Sequence, residues 1–277
     1  MRQFSLLLLL SAITMASCAS ESTIALYTAV ERGDVTAANQ ALSNQADINA
    51  VRHYNNRPLP LPCSVEKGSN QTPLSLAAFQ GNEKMVAVLL EKGVDLDRPP
   101  YCTPLALAVI AKKPDIVRLL ISKGASLALT TKPVSALLPH TAKVLTNVVI
   151  LAASMNRSDL IEILAEKSTT LDQPDLRGRT ALFIAAELGH SESIKALVNH
   201  GASIDYQLPD SGPTALAVAV ANQKLDAVRL LLTLGADPNI PYRLYGLTGT
   251  RSVTPLAVAR QGSPDIVNLL EQAGARE

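Results

Sequence analysis

Tryptophan is absent from these 277 residues, and three phenylalanines with six tyrosines supply an aromatic content of only 3%. A sheet-based core normally leans on rings and β-branched residues, so this scarcity argues against one. Charge of one sign is lacking too: 25 basic against 24 acidic residues leave a net charge of +1, scattered along the chain with no basic stripe for a phosphate backbone. Nucleic acid is therefore excluded as an expected partner. The four histidines, His53, His140, His190 and His200, show no metal-binding spacing, and no Gly-x-Ser-x-Gly, glycine-rich phosphate loop or Cys-x-x-Cys occurs. No catalytic residue, metal site or cofactor is expected, and the chain reads as a non-enzyme. What is abundant is alanine and leucine within an apolar content of 47%. That composition suits small helices stacked closely, so the expected class is all-α.

The first residues read as a targeting segment. Met1, Arg2 and Gln3 form a short positive start, the apolar run from Phe4 to Ile13 is too short to cross a bilayer, and small residues lead to Cys18. Met15-Ala16-Ser17-Cys18 resembles the lipobox of bacterial lipoproteins, with Met15 in place of the usual leucine. The resemblance implies a signal peptide over 1–17, lipidation of Cys18, a tether over 18–22 and, with Ala19 after the cysteine, an outer-membrane address. The alternative is cleavage after Ala19 or Ser20 to release a soluble periplasmic protein. Either way the working compartment is oxidising, which favours a bridge between the remaining Cys63 and Cys102 over two free thiols.

Internal similarity organises the remainder. The segment Thr72-Pro73-Leu74-Ser75-Leu76-Ala77-Ala78, followed by Gly81, Val86, Leu89, Leu90 and Gly93, recurs from Thr103, Thr180, Thr214 and Thr254, with weaker copies near Ile24 and Asn147. Threonine before proline or alanine suits a helix start, because its hydroxyl can accept a free amide and proline at the first helical position loses no bond. Paired alanines admit a close neighbour, and Gly33, Gly81, Gly189 and Gly262 are expected to close the first helix with a positive φ. A second helix follows, with apolar residues at helical spacing such as Val228, Leu231 and Leu232, and ends at Gly93, Gly124, Gly201, Gly235 or Gly274. Asp115, Asp159, Asp226 and Asp265 open these second helices, where a carboxylate favours the dipole.

The pattern resembles the ankyrin repeat family over nearly everything after residue 22, which implies a solenoid of about seven helix-turn-helix units over 23–277. The histidine usual after threonine-proline-leucine is missing throughout. Lys112 and Gln223 replace the first glycine and Ser168 the second, and the unit over 147–172 is the most degenerate, so it is expected to be locally irregular or less stable.

Unit starts at 24, 72, 103, 147, 180, 214 and 254 leave extra length over 51–70, 128–145 and 240–252. Each insertion falls between a second helix and the next first helix, where ankyrin proteins carry protruding fingers. Such insertions spare the core and often bind. Tyr54, Tyr101, Tyr206, Tyr242 and Tyr245 all lie between helices, and tyrosine and arginine dominate binding hot spots. Tyr54 and Arg57 in the first insertion, Tyr101, Arg179 before Thr180, Tyr206, and Tyr242, Arg243, Tyr245 and Arg251 in the third are the partner-contact candidates. The same tyrosines could instead pack on their own stack. The resemblance adds Phe79, Ile110 and Met155 from the concave side. The implied function is a binding module for one folded protein, monomeric when free and held to the membrane by its lipid. The specific expectation is an immunity protein that neutralises a periplasm-acting toxin such as a secreted phospholipase. The alternative is an adaptor supporting a resident periplasmic enzyme or envelope complex, for instance in stress defence.

Overall fold

A computed structural model describes residues 20–52, 71–98, 102–128, 147–168, 171–246 and 249–276. The expectations placed on Cys18, Tyr54, Arg57, Cys63 and Tyr101 lie outside the described residues. The chain forms two compact units, 1–126 and 127–277.

Among the described residues, the first unit holds three helix pairs: α1 (Glu21–Arg32) with α2 (Val35–Ser43), α3 (Pro73–Gln80) with α4 (Glu83–Glu91), and α5 (Pro104–Ile110) with α6 (Pro114–Ser122). The described residues of the second hold four: α7 (Val148–Ser154) with α8 (Ser158–Ala165), α9 (Ala181–Leu188) with α10 (Ser191–Asn199), α11 (Ala215–Ala221) with α12 (Leu225–Thr233), and α13 (Pro255–Ala259) with α14 (Pro264–Gln272). Between α12 and α13 stands a two-stranded antiparallel hairpin, β1 (Tyr242–Gly246) and β2 (Gly249–Val253). Helix α1 starts at Glu21, inside the stretch expected to be a tether, because Ser20 Oγ accepts the Thr23 amide.

The repeated threonines act as their chemistry dictates. Thr72, Thr103, Thr180, Thr214 and Thr254 each accept the amide three residues on, at 3.1 to 3.3 Å. Thr72 and Ser75 add the reciprocal bond of a capping box. Asn147 does the same job with its Oδ1, 2.9 Å from the Ile150 amide, while its Nδ2 donates to Gln173 O. The unit expected to be irregular still forms a helix pair, with Ile150, Leu160, Ile161 and Leu164 fully buried, while its second helix ends at Ala165 without, among the described residues, the left-handed residue that closes the other second helices. Asparagine carries both the acceptor that caps a helix and a donor that ties the next loop.

First helices close in the left-handed region whether or not glycine is present. Gly81 has φ 83°, and Lys112, Asn156 and Gln223 take the same turn at 58°, 53° and 54°. Gly262 departs from expectation: its φ is not positive, because the short α13 has already ended at Arg260 with right-handed geometry.

Within each unit, first helices pack on first helices and second on second: α1, α3 and α5 in one, α7, α9, α11 and α13 in the other. The alanine pairs 77–78, 152–153 and 185–186 are fully buried, which lets these backbones approach closely. A second seam joins adjoining repeats after the outer helices. There a short polar side chain accepts a backbone amide of the next repeat: Asn49 from Asp95, Asp97 from Ser126, Asp172 from Ser203, Asp205 from Asp237, and Asn239 from Arg276, all at 2.7 to 3.0 Å.

Candidate protein-binding site

Three consecutive loops of the second unit build one continuous ridge. The first is a tight turn over 175–179, closed by the Asp175 amide on Arg179 O at 2.9 Å and the Gly178 amide on Asp175 O at 2.9 Å. Asp175 Oδ1 also accepts the amides of Arg177 and Arg179, and its Oδ2 receives Nε and Nη2 of Arg179 at 2.9 and 2.7 Å. Arg179 reaches Glu187 as well, at 3.6 Å. With both partners buried, this two-bond ion pair fixes the turn from within. The assignment of Arg179 as a partner contact is thereby corrected: the residue is only 7% exposed and its guanidinium is committed to two carboxylates.

At the tip of that turn Leu176 is 64% exposed, beside an exposed Arg177. Loop 208–212 packs directly behind. A Cβ on Gly178 would lie 2.5 Å from Pro209 Cδ, so the two loops touch through a position where only glycine fits. The third loop is the hairpin: the Arg243 amide donates to Ser211 O at 2.8 Å and Gln207 Nε2 donates to Pro241 O at 2.8 Å. Arg243 and Arg251 are exposed, and Tyr206 is half-buried at the foot of the middle loop. Tyr245 occupies the same strand as Arg243.

Tyr242 is another correction. It is 3% exposed and packs at the hairpin's base, so it props the strand and offers a partner nothing. Its hydroxyl finds no hydrogen-bond partner among the described residues, and burial pushes its pKa above the ordinary value near 10.

In the first unit the sequence reading missed the residue that organises the root of the first insertion. Tyr27 is buried in α1, and its hydroxyl lies 2.8 Å from Ala50 O and 2.7 Å from Gln71 O while accepting the Arg52 amide at 2.9 Å. The Arg52 guanidinium sits 4.3 Å over its ring and pairs with Glu31. Arg52 and Gln71 themselves pair as an antiparallel bridge, as do Ala128 and Asn147 at the root of the second insertion. The concave candidates Phe79, Ile110 and Met155 are all half-buried at the ends of first helices, neither sealed in the core nor fully open. Among the described residues, no group of His, Cys, Asp and Glu is placed to hold a metal.

The sequence pattern of the family described as ankyrin repeats (3 copies) matches residues 26–131 and 134–242. The chain belongs to the ankyrin repeat family. It is 32% identical to ankyrin repeat and KH domain-containing protein mask-1 of Caenorhabditis elegans across 95% of this chain, which spans a tenth of that relative's length. An ankyrin repeat domain from Acinetobacter baumannii is similar in structure, with a TM-score of 0.60 and 25% identity, over 74% of this chain and 98% of that one. A chain from the complex of the predatory endopeptidase Bd0816 of Bdellovibrio bacteriovorus with the immunity protein Bd3460 matches with a TM-score of 0.56 and 27% identity, over 78% and 99%. Ankyrin repeats indicate a protein-binding module.

Proposed function

We propose that this ankyrin protein is a non-catalytic immunity protein that neutralises a hydrolytic toxin acting in the periplasm, such as a secreted phospholipase. The observation that carries the proposal is the ridge of three interlocked loops that holds an exposed leucine and three exposed arginines, Arg177, Arg243 and Arg251, on rigid supports. A ridge that is fixed before binding loses little entropy on entering an enzyme cleft. The likeness to a chain of an endopeptidase and immunity protein complex supports the same reading.

The proposal places the chain outside the cytoplasm, anchored through a lipidated Cys18, with Cys63 and Cys102 bridged. Burial of Cys102 at 7% exposure and its engagement as a disulfide cysteine support the bridge, its partner lying outside the described residues. Cys18→Ala is expected to shift the protein from the membrane to the soluble fraction and abolish labelling by palmitate.

The functional test pairs the mature chain with a hydrolytic toxin, a secreted phospholipase first. Stoichiometric binding and inhibition are expected, and Leu176→Glu combined with Arg177→Glu should weaken both by at least tenfold. A chain that leaves the hydrolase active, and whose deletion brings envelope stress without toxin sensitivity, would instead be the adaptor.

A further inference from the structure

Among the described residues, only one of the hairpin's two outer edges bonds to the backbone of another segment. Its register pairs Arg243 with Ser252 and Tyr245 with Thr250. The Arg243 amide points away from β2, since it donates to Ser211 O. In an antiparallel ladder the residue opposite must then also turn its amide and carbonyl outward, and the alternation carries this to Thr250. So the outer edge of β1 is tied to the preceding loop at Arg243. Along β2, the outward backbone groups of Thr250 and Ser252 pair with no other backbone among the described residues. An uncovered strand edge is a template for another strand unless something discourages it.

The charges decide which strand is admitted. Residues 240–254 contain Arg243 and Arg251 and no aspartate or glutamate. The register puts Arg243 on one face of the hairpin and Arg251 on the other, and both are exposed. A second copy pairing along β2 would bring arginines together across the new seam, which like-charge repulsion opposes. An extended segment with carboxylates on both faces would meet an arginine on either side. We infer that the free edge of β2 accepts an acidic, extended segment of the protein partner by strand addition, with Thr250 and Ser252 supplying the backbone bonds and Arg251 and Arg243 selecting the charge. This rests on the reading of the chain as a protein-binding module and names how one part of that face works.

The probe is a capped heptapeptide that alternates glutamate with valine or threonine, added to the full mature chain. Hydrogen exchange at Thr250 and Ser252 should slow, and the peptide should bind at least tenfold more tightly than its version N-methylated at alternate amides and than its lysine counterpart. Ser252→Pro removes one outward amide at an edge position that tolerates proline, and should lose at least tenfold in affinity with the helical signal unchanged. Arg251→Glu should move the preference toward the lysine peptide. Equal binding of the N-methylated peptide would overturn the inference. So would a dimer at micromolar concentration that Ser252→Pro dissolves, since the edge would then belong to a second copy. If Ser252→Pro still inhibits the hydrolase while the Leu176 and Arg177 double variant does not, the strand-addition inference fails and the immunity reading stands. Peptide binding with no hydrolase inhibited gives the reverse.

Discussion

Two side chains show how one residue type can serve opposite ends. Arg177 and Arg179 are two positions apart in one turn, yet the first is exposed and the second is buried against Asp175 and Glu187. Removing the carboxylate strands a buried cation, so Asp175→Ala should cost about 3 kcal/mol in urea unfolding. A loss below about 1 kcal/mol would show that water reaches Arg179. Tyr242 presents the reverse case, a buried hydroxyl with nothing to bond among the described residues. Tyr242→Phe should leave stability unchanged or raise it by up to about 1 kcal/mol. The two proteins should also diverge in alkali. Burial raises the folded pKa of Tyr242, so its contribution is complete below the unfolded value of about 10 and is lost as pH climbs through the folded one. The wild type should therefore lose stability above about pH 10 more steeply than the phenylalanine variant, as denaturant midpoints across that range would show.

At the level of single elements, helix starts and most helix ends were legible because their determinants are local. Thr72, Thr103 and Thr214 cap the helices they precede, and the left-handed turn appears at the same phase even where Lys112 and Gln223 stand. Those two adopt a conformation costly for a side chain, so Lys112→Gly should stabilise the first unit by about 1 kcal/mol, measured as a shift in denaturant midpoint. What could not be read locally was whether a tyrosine or arginine between helices faces out. That depends on which atoms wait across the fold, as Asp175 does for Arg179 and as the packed base of the hairpin does for Tyr242. The exposed Leu176 sits in a loop of ordinary length, so no insertion marks it in the sequence. Residues 240–252 suggested a finger but not a strand pair, since the run from Tyr242 to Val253 lacks clear apolar alternation. Tyr27 was missed because its partners, Ala50 and Gln71, lie at the two ends of an insertion and meet only when it closes.

For the molecule as a whole, a repeat stack is held by neighbours, so protection should follow the number of packed sides. In the second unit α9 and α11 are each flanked on both sides by first helices, with Ala181–Ala186 and Ala215–Val220 buried throughout. Helix α13 has five residues, and α14 buries only Ile266 and Leu270. Amide exchange should accordingly be slowest in α9 and α11 and fastest in α13 and α14, with the hairpin no slower than the last pair. Uniform exchange across the unit would mean that it opens as a single block. The Asn and Asp side chains that accept an amide from the following repeat add a different kind of consequence. Asn49, Asp97, Asp172, Asp205 and Asn239 present the same oxygen to whichever repeat comes next, so the joint is indifferent to the identity of its neighbour. A lineage can therefore lose, duplicate or swap a whole repeat, and with it a binding loop, without having to rebuild the junction.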